Sequence, residues 1–247
     1  MRVHRMIEKI ATRARSLLAA ASACLLVALL ASCTGGADTP GAESSGTRAD
    51  AGQAAGWREL FDGATLDGWH NPYDWGEGWV ESGEIHLRAD RKFFLMTRES
   101  FRDFVFEGEV MLPDTASNSG FMFRANVEQN RVYGYQAEVD PKARRWSGGL
   151  YDEERRGWLN PPAEDTAAQR AFREEPGTAF RPDEWNRYRI EARGDSLRIY
   201  VNDRLTTAYR DTLDREGPIG IQHHGEAGKV YRFRNLRIQP LGAAEGP

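Results

Sequence analysis

The chain is dominated by short segments in which apolar and polar residues alternate, and this pattern limits the folds that it can adopt. A period of two is typical of a strand that buries one face and exposes the other. Turn residues separate the segments, so the strands are expected to form antiparallel pairs. The segments with this pattern are 78–88, 101–112, 186–209, 217–225 and 229–238.

Turn and helix signals divide these segments into elements. Ser82-Gly83 predicts the turn of a hairpin, and Gly194-Asp195 and Asn202-Asp203 predict the two turns of a meander. One helix is expected at 163–174, after Pro161-Pro162 in a long insertion. Many short strands with a single helix favour an all-β fold. We therefore expect a sandwich of two antiparallel sheets, one of which curves to form a groove.

A change of composition marks the limits of this domain. All seven tryptophans lie in residues 57–241, a length that fits one all-β domain. Residues 33–56 contain no aromatic side chain and consist mainly of small and polar residues, so they are predicted to be a flexible tether. Residues 242–247 are expected to be a frayed C-terminal tail.

The N-terminus predicts export and lipidation. Several basic residues precede an apolar run at 17–31, which ends in Leu30-Ala31-Ser32-Cys33 and resembles a bacterial lipobox. Residues 1–32 are therefore predicted to be a signal peptide, with Cys33 as the lipidated residue. A plain signal peptide or a membrane anchor is the alternative, although the run is shorter than the ~20 residues that span a bilayer. Because Thr34 is not Asp, we expect attachment to the outer membrane, facing the periplasm or the exterior.

Cysteine content and charge exclude several functions. With Cys24 in the signal peptide and Cys33 lipidated, the mature domain has no thiol for a disulfide, a thiolate metal site or a nucleophile. Residues 34–247 contain 28 basic and 36 acidic residues, a formal net charge of −8. This charge disfavours nucleic acid as a partner.

Polar residues occupy strand positions that should face solvent or a ligand. In GYQAEVD, residues Gln136, Glu138 and Asp140 share one face, and Arg124 at the end of NSGFMFR is a candidate counter-ion. In GPIGIQHHG, Gln222 and His224 share a face, whereas His223 points to the other side, as a core histidine would. The alternative for the carboxylates is a solvated outer face of a sheet.

Seven motifs together resemble those of the 3-keto-disaccharide hydrolase family, over residues 57–241. The resemblance implies a concanavalin A-like jelly-roll fold and activity on glycosides oxidised at C3 of the sugar. Many relatives read GYEVQ where this chain has GYQAEVD, which leaves open whether Glu138 or Asp140 is the base. The motifs are ELFDGATLDGW, NSGFMFR, GYQAEVD, SGGLYDEERRGW, EWNRYRIEARGDSLRIYVND, GPIGIQHHG and YRFRNLRI.

The chemistry that this resemblance implies is an elimination followed by a hydration. A ketone at C3 acidifies the proton on C2, because the electron pair left behind delocalises onto the carbonyl oxygen as an enolate. Loss of the glycosidic oxygen from C1 gives a 2-hydroxy-3-keto-glucal, and addition of water then completes a net hydrolysis. Such a reaction needs an acid–base group and a stabiliser of the enolate, such as Arg124, a Tyr hydroxyl or a divalent metal.

The resemblance also implies the residues that act in this chemistry. Glu138 or Asp140 is expected to be the base, and Arg124 to stabilise the enolate. His224 matches the His of the family's Gln-x-His-Gly pattern and is expected to act in acid–base catalysis or metal ligation. Any divalent metal would be held by His224 with Glu138 or Asp140, because the chain has no HExxH motif, no Cys ligands and no Ca²⁺ loop.

A further six side chains are expected to bind the sugar, through amide and carboxylate groups or through the flat faces of aromatic rings. For Asn118 the alternative is a turn before Ser119-Gly120, and for Tyr151 and Trp158 it is core packing. For Asp152 the alternative is a solvated run of charges at 152–156. The six residues are Asn118, Gln136, Tyr151, Asp152, Trp158 and Gln222.

Two functions of different class fit these observations. The first is an enzyme that cleaves 3-keto-glycosides, with an oxidised glycoside or oligosaccharide as partner. The second is a lipid-anchored carbohydrate-binding module of the same fold without turnover, since a fold does not determine a function. A convergence of titratable groups favours the enzyme, because a binding module has little use for them. A scaffold protein without a ligand is a third interpretation.

Overall fold

The computed structural model describes residues 56–242, which contain fifteen strands and two short helical segments. The predicted signal peptide, Cys33, most of the tether and residues 243–247 lie outside the described residues. The strands are β1 Arg58–Glu59, β2 Trp69–His70, β3 Glu77–Glu81, β4 Glu84–Arg88, β5 Phe93–Phe101, β6 Phe104–Met111, β7 Ser119–Glu128, β8 Arg131–Val139, β9 Leu150–Glu153, β10 Gly157–Asn160, β11 Asn186–Arg193, β12 Ser196–Val201, β13 Arg204–Arg210, β14 Gly217–His223 and β15 Tyr231–Pro240. The helical segments are α1 Thr166–Glu174 and a 3₁₀ turn at Pro176–Ala179.

These strands form two antiparallel sheets. Sheet I has the order β13-β12-β11-β6-β15-β4-β3, with β1 paired to β15. Sheet II has the order β10-β9-β8-β7-β14-β5-β2. The helical segments lie in the connection between β10 and β11. This is the predicted jelly-roll sandwich with one short helix in an insertion. Within residues 56–242, the helices fall short of the length and apolar character that a membrane span requires.

The core lies between the two sheets and is built by alternation along each strand. In β11, Tyr188, Ile190 and Ala192 are fully buried, while the residues between them are partly exposed. Phe121 of sheet II packs against Phe106 of sheet I at 5.6 Å and against the ring of Tyr188 at 5.1 Å between centroids. Aromatic contacts therefore join the two sheets at the centre of the sandwich.

Most of the predicted elements are confirmed. The hairpin at 78–88 is β3 and β4, and the residues of its turn have positive φ angles, 54° at Ser82 and 79° at Gly83. The meander at 186–209 is β11, β12 and β13. Helix α1 begins at Thr166 rather than Ala163, because the side chain of Asp165 caps it by accepting a hydrogen bond from Ala168 N at 2.9 Å.

The segment 101–112 is not one strand, as the alternation predicted. Phe101 ends β5 and Phe104 begins β6, with a turn at Arg102-Asp103 between them. The two strands belong to different sheets, so the chain crosses the sandwich at this turn. Strand β5 was not predicted, since its first five residues are all buried and show no alternation.

Arg124 ties the two sheets together at this end of the sandwich and is not part of a groove, which corrects the prediction. It lies in a bulge of β7 with a φ angle of 47°, and the bulge turns its side chain into the interior, where it is 0% exposed. The guanidinium donates to the carbonyl oxygens of Arg102 and Gly194, each at 2.8 Å, and to Asp103 Oδ1 at 2.9 Å. Arg124 thus supplies hydrogen-bond donors to acceptors in the turns that precede β6 and β12.

Substitution Arg124→Met should destabilise the fold. Removing the guanidinium takes the donor from the carbonyl oxygens of Arg102 and Gly194 and the charged partner from Asp103, and breaking a buried pair costs about 3–5 kcal/mol. The free energy of unfolding, measured by urea denaturation, should fall accordingly. Arg198→Met, which removes an exposed arginine of β12, is the matched control and should leave the denaturation midpoint nearly unchanged. Equal midpoints for the two variants would contradict this role of Arg124.

Candidate active site

A polar cleft of about 280 Å³ lies on the face of sheet II that points away from the core. Seven of the ten residues predicted to form the site line this cleft: Asn118, Gln136, Glu138, Tyr151, Trp158, Gln222 and His224. Four residues that the sequence analysis did not select line it as well: Lys92, Lys142, Arg144 and Glu153. The remaining three predicted residues, Arg124, Asp140 and Asp152, lie elsewhere.

The backbone of Glu138 is fixed by contacts from both sheets. In sheet II, Glu138 pairs with Gly120 of β7, and its N–H donates to Gly149 O at 3.0 Å. Its carbonyl oxygen accepts from Gly148 N at 2.7 Å and from the hydroxyl of Tyr188, which reaches across from sheet I, at 2.9 Å. The position of the Glu138 side chain is therefore set by the packing of the sandwich.

The carboxylate of Glu138 is buried and is held by two amides. Asn118 Nδ2 donates to Oε1 at 2.6 Å, and Gln136 Nε2 donates to Oε2 at 2.8 Å. Burial raises the pKa of Glu138 to about 7. The two amide hydrogen bonds oppose this shift, as does the charge of Arg144, while the charge of Asp140 adds to it. Glu138 can therefore exchange a proton near neutral pH.

A glycine makes room for one of these amides. The side chain of Gln136 lies over Gly120, where a Cβ atom would come within 2.4 Å of Gln136 Cδ. Because a strand residue with a side chain at this position would collide with Gln136, only glycine lets the amide reach Glu138.

Asp140 is not in the cleft, which corrects its prediction as a base or metal ligand. Strand β8 ends at Val139, so the alternation that placed Asp140 beside Glu138 no longer applies. The carboxylate of Asp140 is fully buried and accepts a hydrogen bond from Arg144 Nε. Arg144 itself faces the cleft, and its guanidinium lies 5.1 Å from the ring centre of Trp158. Asp140 therefore positions Arg144.

Asp152 also lies away from the cleft, which corrects its prediction as a sugar ligand. In β9, Tyr151 pairs with Gln136 on the cleft face, so Asp152, its neighbour, points to the opposite face. Asp152 is fully buried and forms ion pairs with Arg155, at 2.7 Å, and with Arg156. The alternative prediction, that residues 152–156 form a solvated run of charges, is also wrong for Asp152.

Two aromatic side chains form one wall of the cleft. Tyr151 and Trp158 lie 5.1 Å apart in an edge-to-face arrangement, and Trp146 packs against Trp158 at 4.5 Å. Burial raises the pKa of Tyr151, as do the charges of Glu153 and Glu138, so its hydroxyl keeps its proton at neutral pH. The wall thus offers a flat apolar face and a hydroxyl donor.

The two adjacent histidines have different environments. His223 is fully buried and stacks on Tyr231 at 4.1 Å, as a core histidine would, and burial lowers its pKa. The side chain of His224 is 47% exposed at the cleft, and its Nδ1 lies 3.1 Å from Glu226 Oε1. The imidazole of His224 is therefore accessible to solvent and to a ligand in the cleft.

Two side chains that line the cleft carry a buried acceptor without a donor. Gln136 and Gln222 are 2% and 1% exposed, and the Oε1 atom of each has no hydrogen-bond partner. An unpaired buried acceptor is costly, at about 1–3 kcal/mol, unless a ligand or water supplies a donor. Hydroxyl groups of a sugar are donors of this kind.

The predicted metal ligands do not converge. Within the described part of the chain, no group of three His, Cys, Asp or Glu residues is placed to hold a metal ion. Both oxygens of Glu138 accept amide hydrogens, and Asp140 is paired with Arg144 behind the cleft. The set of His224, Glu138 and Asp140 therefore does not fit a divalent ion in this arrangement.

The raised pKa of Glu138 should make stability depend on pH. Because the folded pKa, about 7, exceeds the ordinary value of 4.5, the folded state binds the proton more tightly. The stabilisation is present below pH 4.5 and is lost as the pH rises to about 7, a loss of roughly 3 kcal/mol. Glu138→Gln should remove this loss from the pH dependence of the unfolding free energy. Glu77→Gln, an exposed change in β3, should keep it; identical pH profiles for the wild type and Glu138→Gln would contradict the assignment.

Comparison with known proteins identifies the family of the domain. A family described as the 3-keto-alpha-glucoside-1,2-lyase-like domain matches residues 56–239. No curated protein matches the chain.

Two solved structures share the fold. The carbohydrate binding module CBM66 from Bacillus subtilis is 21% identical, with a TM-score of 0.51, over 70% of this chain and 95% of that chain. A protein from Parabacteroides distasonis ATCC 8503, provisionally named a glycosyl hydrolase, is 15% identical, with a TM-score of 0.52, over 75% of this chain and 94% of that chain. By its match over residues 56–239, the chain belongs to the 3-keto-alpha-glucoside-1,2-lyase-like family.

Proposed function

We propose that this protein cleaves glycosides oxidised at C3 of the sugar, by elimination across C1 and C2 followed by hydration. The observation that carries the proposal is the buried carboxyl of Glu138, whose pKa is raised to about 7 in a polar cleft. The family and the fold support a function in carbohydrate chemistry. A base of this kind suits removal of a proton next to a ketone at neutral pH.

Glu138 is the base in this mechanism. In its ionised form it takes the proton from C2 of the 3-keto sugar, and the amides of Asn118 and Gln136 hold both carboxylate oxygens in place. Holding the base in one geometry avoids the entropy cost of aligning it with the C2–H bond. Since the elimination leaves the proton on Glu138, the same group can return it to C2 during hydration.

His224 is the proton donor to the departing glycosidic oxygen. It lies at the cleft and is partly exposed, so the leaving group can depart past it into solvent. Glu226 contacts Nδ1, which leaves Nε2 for proton exchange. In the second step, His224 can remove a proton from the water that adds to C1.

Sugar recognition is assigned to the aromatic wall and to the two buried amide oxygens. Trp158 and Tyr151 supply the flat apolar surface on which a sugar ring packs. Sugar hydroxyls donate hydrogen bonds to Gln136 Oε1 and Gln222 Oε1, the two acceptors that have no partner in the free protein.

The second candidate is a carbohydrate-binding module without turnover. The same aromatic wall and orphan acceptors support it, and one protein of similar fold is itself named a carbohydrate binding module. The two candidates differ in their use of Glu138, because binding alone does not need a carboxyl that ionises near pH 7. In either case we propose that Cys33 carries a lipid anchor that holds the domain at the outer membrane.

The full-length protein should consume a 3-keto-glucoside and leave the unoxidised parent glucoside intact, because only the ketone acidifies the C2 proton. The kcat/KM value should rise with pH through about 7, as Glu138 loses its proton. Glu138→Gln should lower kcat by at least about 10²-fold, whereas Glu77→Gln should not. A sugar-dependent rise in melting temperature without turnover would instead establish the binding module.

His224→Ala should lower kcat for 3-keto-glycosides with poor leaving groups, such as disaccharides, by about 10²-fold. A nitrophenyl aglycone leaves without a proton, so the variant should cleave the nitrophenyl 3-keto-glucoside nearly as fast as the wild type. Steady-state kinetics with both substrates test this difference. Equal losses on the two substrates would show that His224 does not protonate the leaving group.

A further inference from the structure

A lysine that the mechanism above does not use faces the same cleft. Lys92 immediately precedes β5, and its neighbour Phe93 pairs with His223 in β14. Lys92 and His224 therefore lie just beyond the paired ends of β5 and β14, and both line the cleft. The side chain of Lys92 is 33% exposed and lines the cleft with Glu138 and Tyr151. The structure therefore places an ammonium group near both proton-transfer residues.

The ammonium of Lys92 is held by carboxylates from β9 and the turn after it, on the other side of the cleft. Lys92 Nζ forms an ion pair with Glu153, whose side chain is 8% exposed, and lies 3.5 Å from Glu154 Oε1. Strands β14, β7 and β8 separate β5 from β9, so this ion pair joins residues from opposite sides of the cleft. An ammonium has three donors, and these carboxylates use at most two of them. At least one N–H remains for a ligand.

The charge of Lys92 is maintained in the cleft. Burial lowers the pKa of Lys92, but Glu153 and Glu154 outweigh burial and raise it above its ordinary value. Lys92 therefore remains an ammonium and acts as a donor, not as an amine nucleophile. A fixed cation in a partly desolvated cleft interacts more strongly with a developing negative charge than it would in water.

Two arginines are less suited to this task. Arg124 is buried between the sheets, and Arg144 is paired with Asp140 and stacked on Trp146 and Trp158. Lys92 and Glu138 form no ion pair with each other, although both charges shift the pKa of Tyr151. Lys92, Glu138 and Tyr151 all line the same cleft, so a ligand in the cleft can contact both the base and the ammonium.

We propose that Lys92 is the catalytic residue that stabilises the C3 oxygen as it becomes an enolate. The inference rests on the proposed function. The C2–H bond breaks, its proton goes to Glu138, and its electron pair forms a C2–C3 double bond while the carbonyl pair moves onto the C3 oxygen, where Lys92 donates. When the C1–O bond breaks, the carbonyl re-forms, a C1–C2 double bond forms, and the aglycone oxygen leaves with the bonding pair and a proton. No oxidant or reductant is needed.

The test measures exchange of the C2 proton and turnover of a 3-keto-glucoside by the full-length protein. Exchange into D₂O, followed by NMR, reports the enolate before the aglycone leaves. Lys92→Met should lower both the exchange rate and kcat by about 10²–10³-fold with little change in KM, and Lys92→Arg should restore part of the rate. Lys229→Met, which removes a lysine paired with Asp114 outside the cleft, should leave both rates unchanged.

Each result decides the inference. Exchange at the wild-type rate in Lys92→Met would overturn it, as would a raised KM with unchanged kcat, which would make Lys92 a binding residue only. Because Lys92→Met leaves Glu153 buried without its partner, the double variant K92M/E153Q keeps the test valid if the single variant fails to fold. Absence of turnover of the 3-keto-glucoside by the wild type would overturn the proposed function as well, so the two failures are distinguishable.

Discussion

The site depends on a buried carboxyl that is held by neutral donors. Asn118 and Gln136 satisfy the oxygens of Glu138 without a cation at the carboxylate itself. A cation in direct contact would have stabilised the ionised form and held the pKa low, whereas two amides only partly offset burial. The pKa therefore settles near 7. Burial lowers stability at neutral pH, and in the proposed mechanism the same burial lets Glu138 act as the base.

The acids beside the cleft keep the cations away from Glu138. Arg144 is paired with Asp140, and Lys92 with Glu153. Asp140 and Arg144 lie in one loop after β8, whereas Lys92 and Glu153 come from different strands of sheet II or their ends; Glu138 makes no ion pair with either cation and keeps only its amides. Separating the cations from the carboxylate in this way lets one small cleft present both a base and positive charge.

Sheet I supports the cleft although it contributes no lining residue. Tyr188 donates to the carbonyl oxygen of Glu138. Thr206 and Thr207 of β13 donate to Gly148 O at 2.8 and 2.7 Å, and so fix the loop whose backbone binds Glu138. The floor of the cleft is therefore held from behind by hydrogen bonds between the two sheets.

The sequence by itself determined the all-β sandwich, the hairpin, the meander and the single helix, because alternation and turn residues act locally. It also placed Gln136 and Glu138 on one face, since both lie within a regular strand. Tertiary structure decided the rest. A bulge turned Arg124 inward, the end of β8 removed Asp140 from the cleft, and pairing between distant strands brought in Lys92 with Glu153. Local periodicity holds only while a strand stays regular, and which strands become neighbours is decided by packing across the whole sandwich.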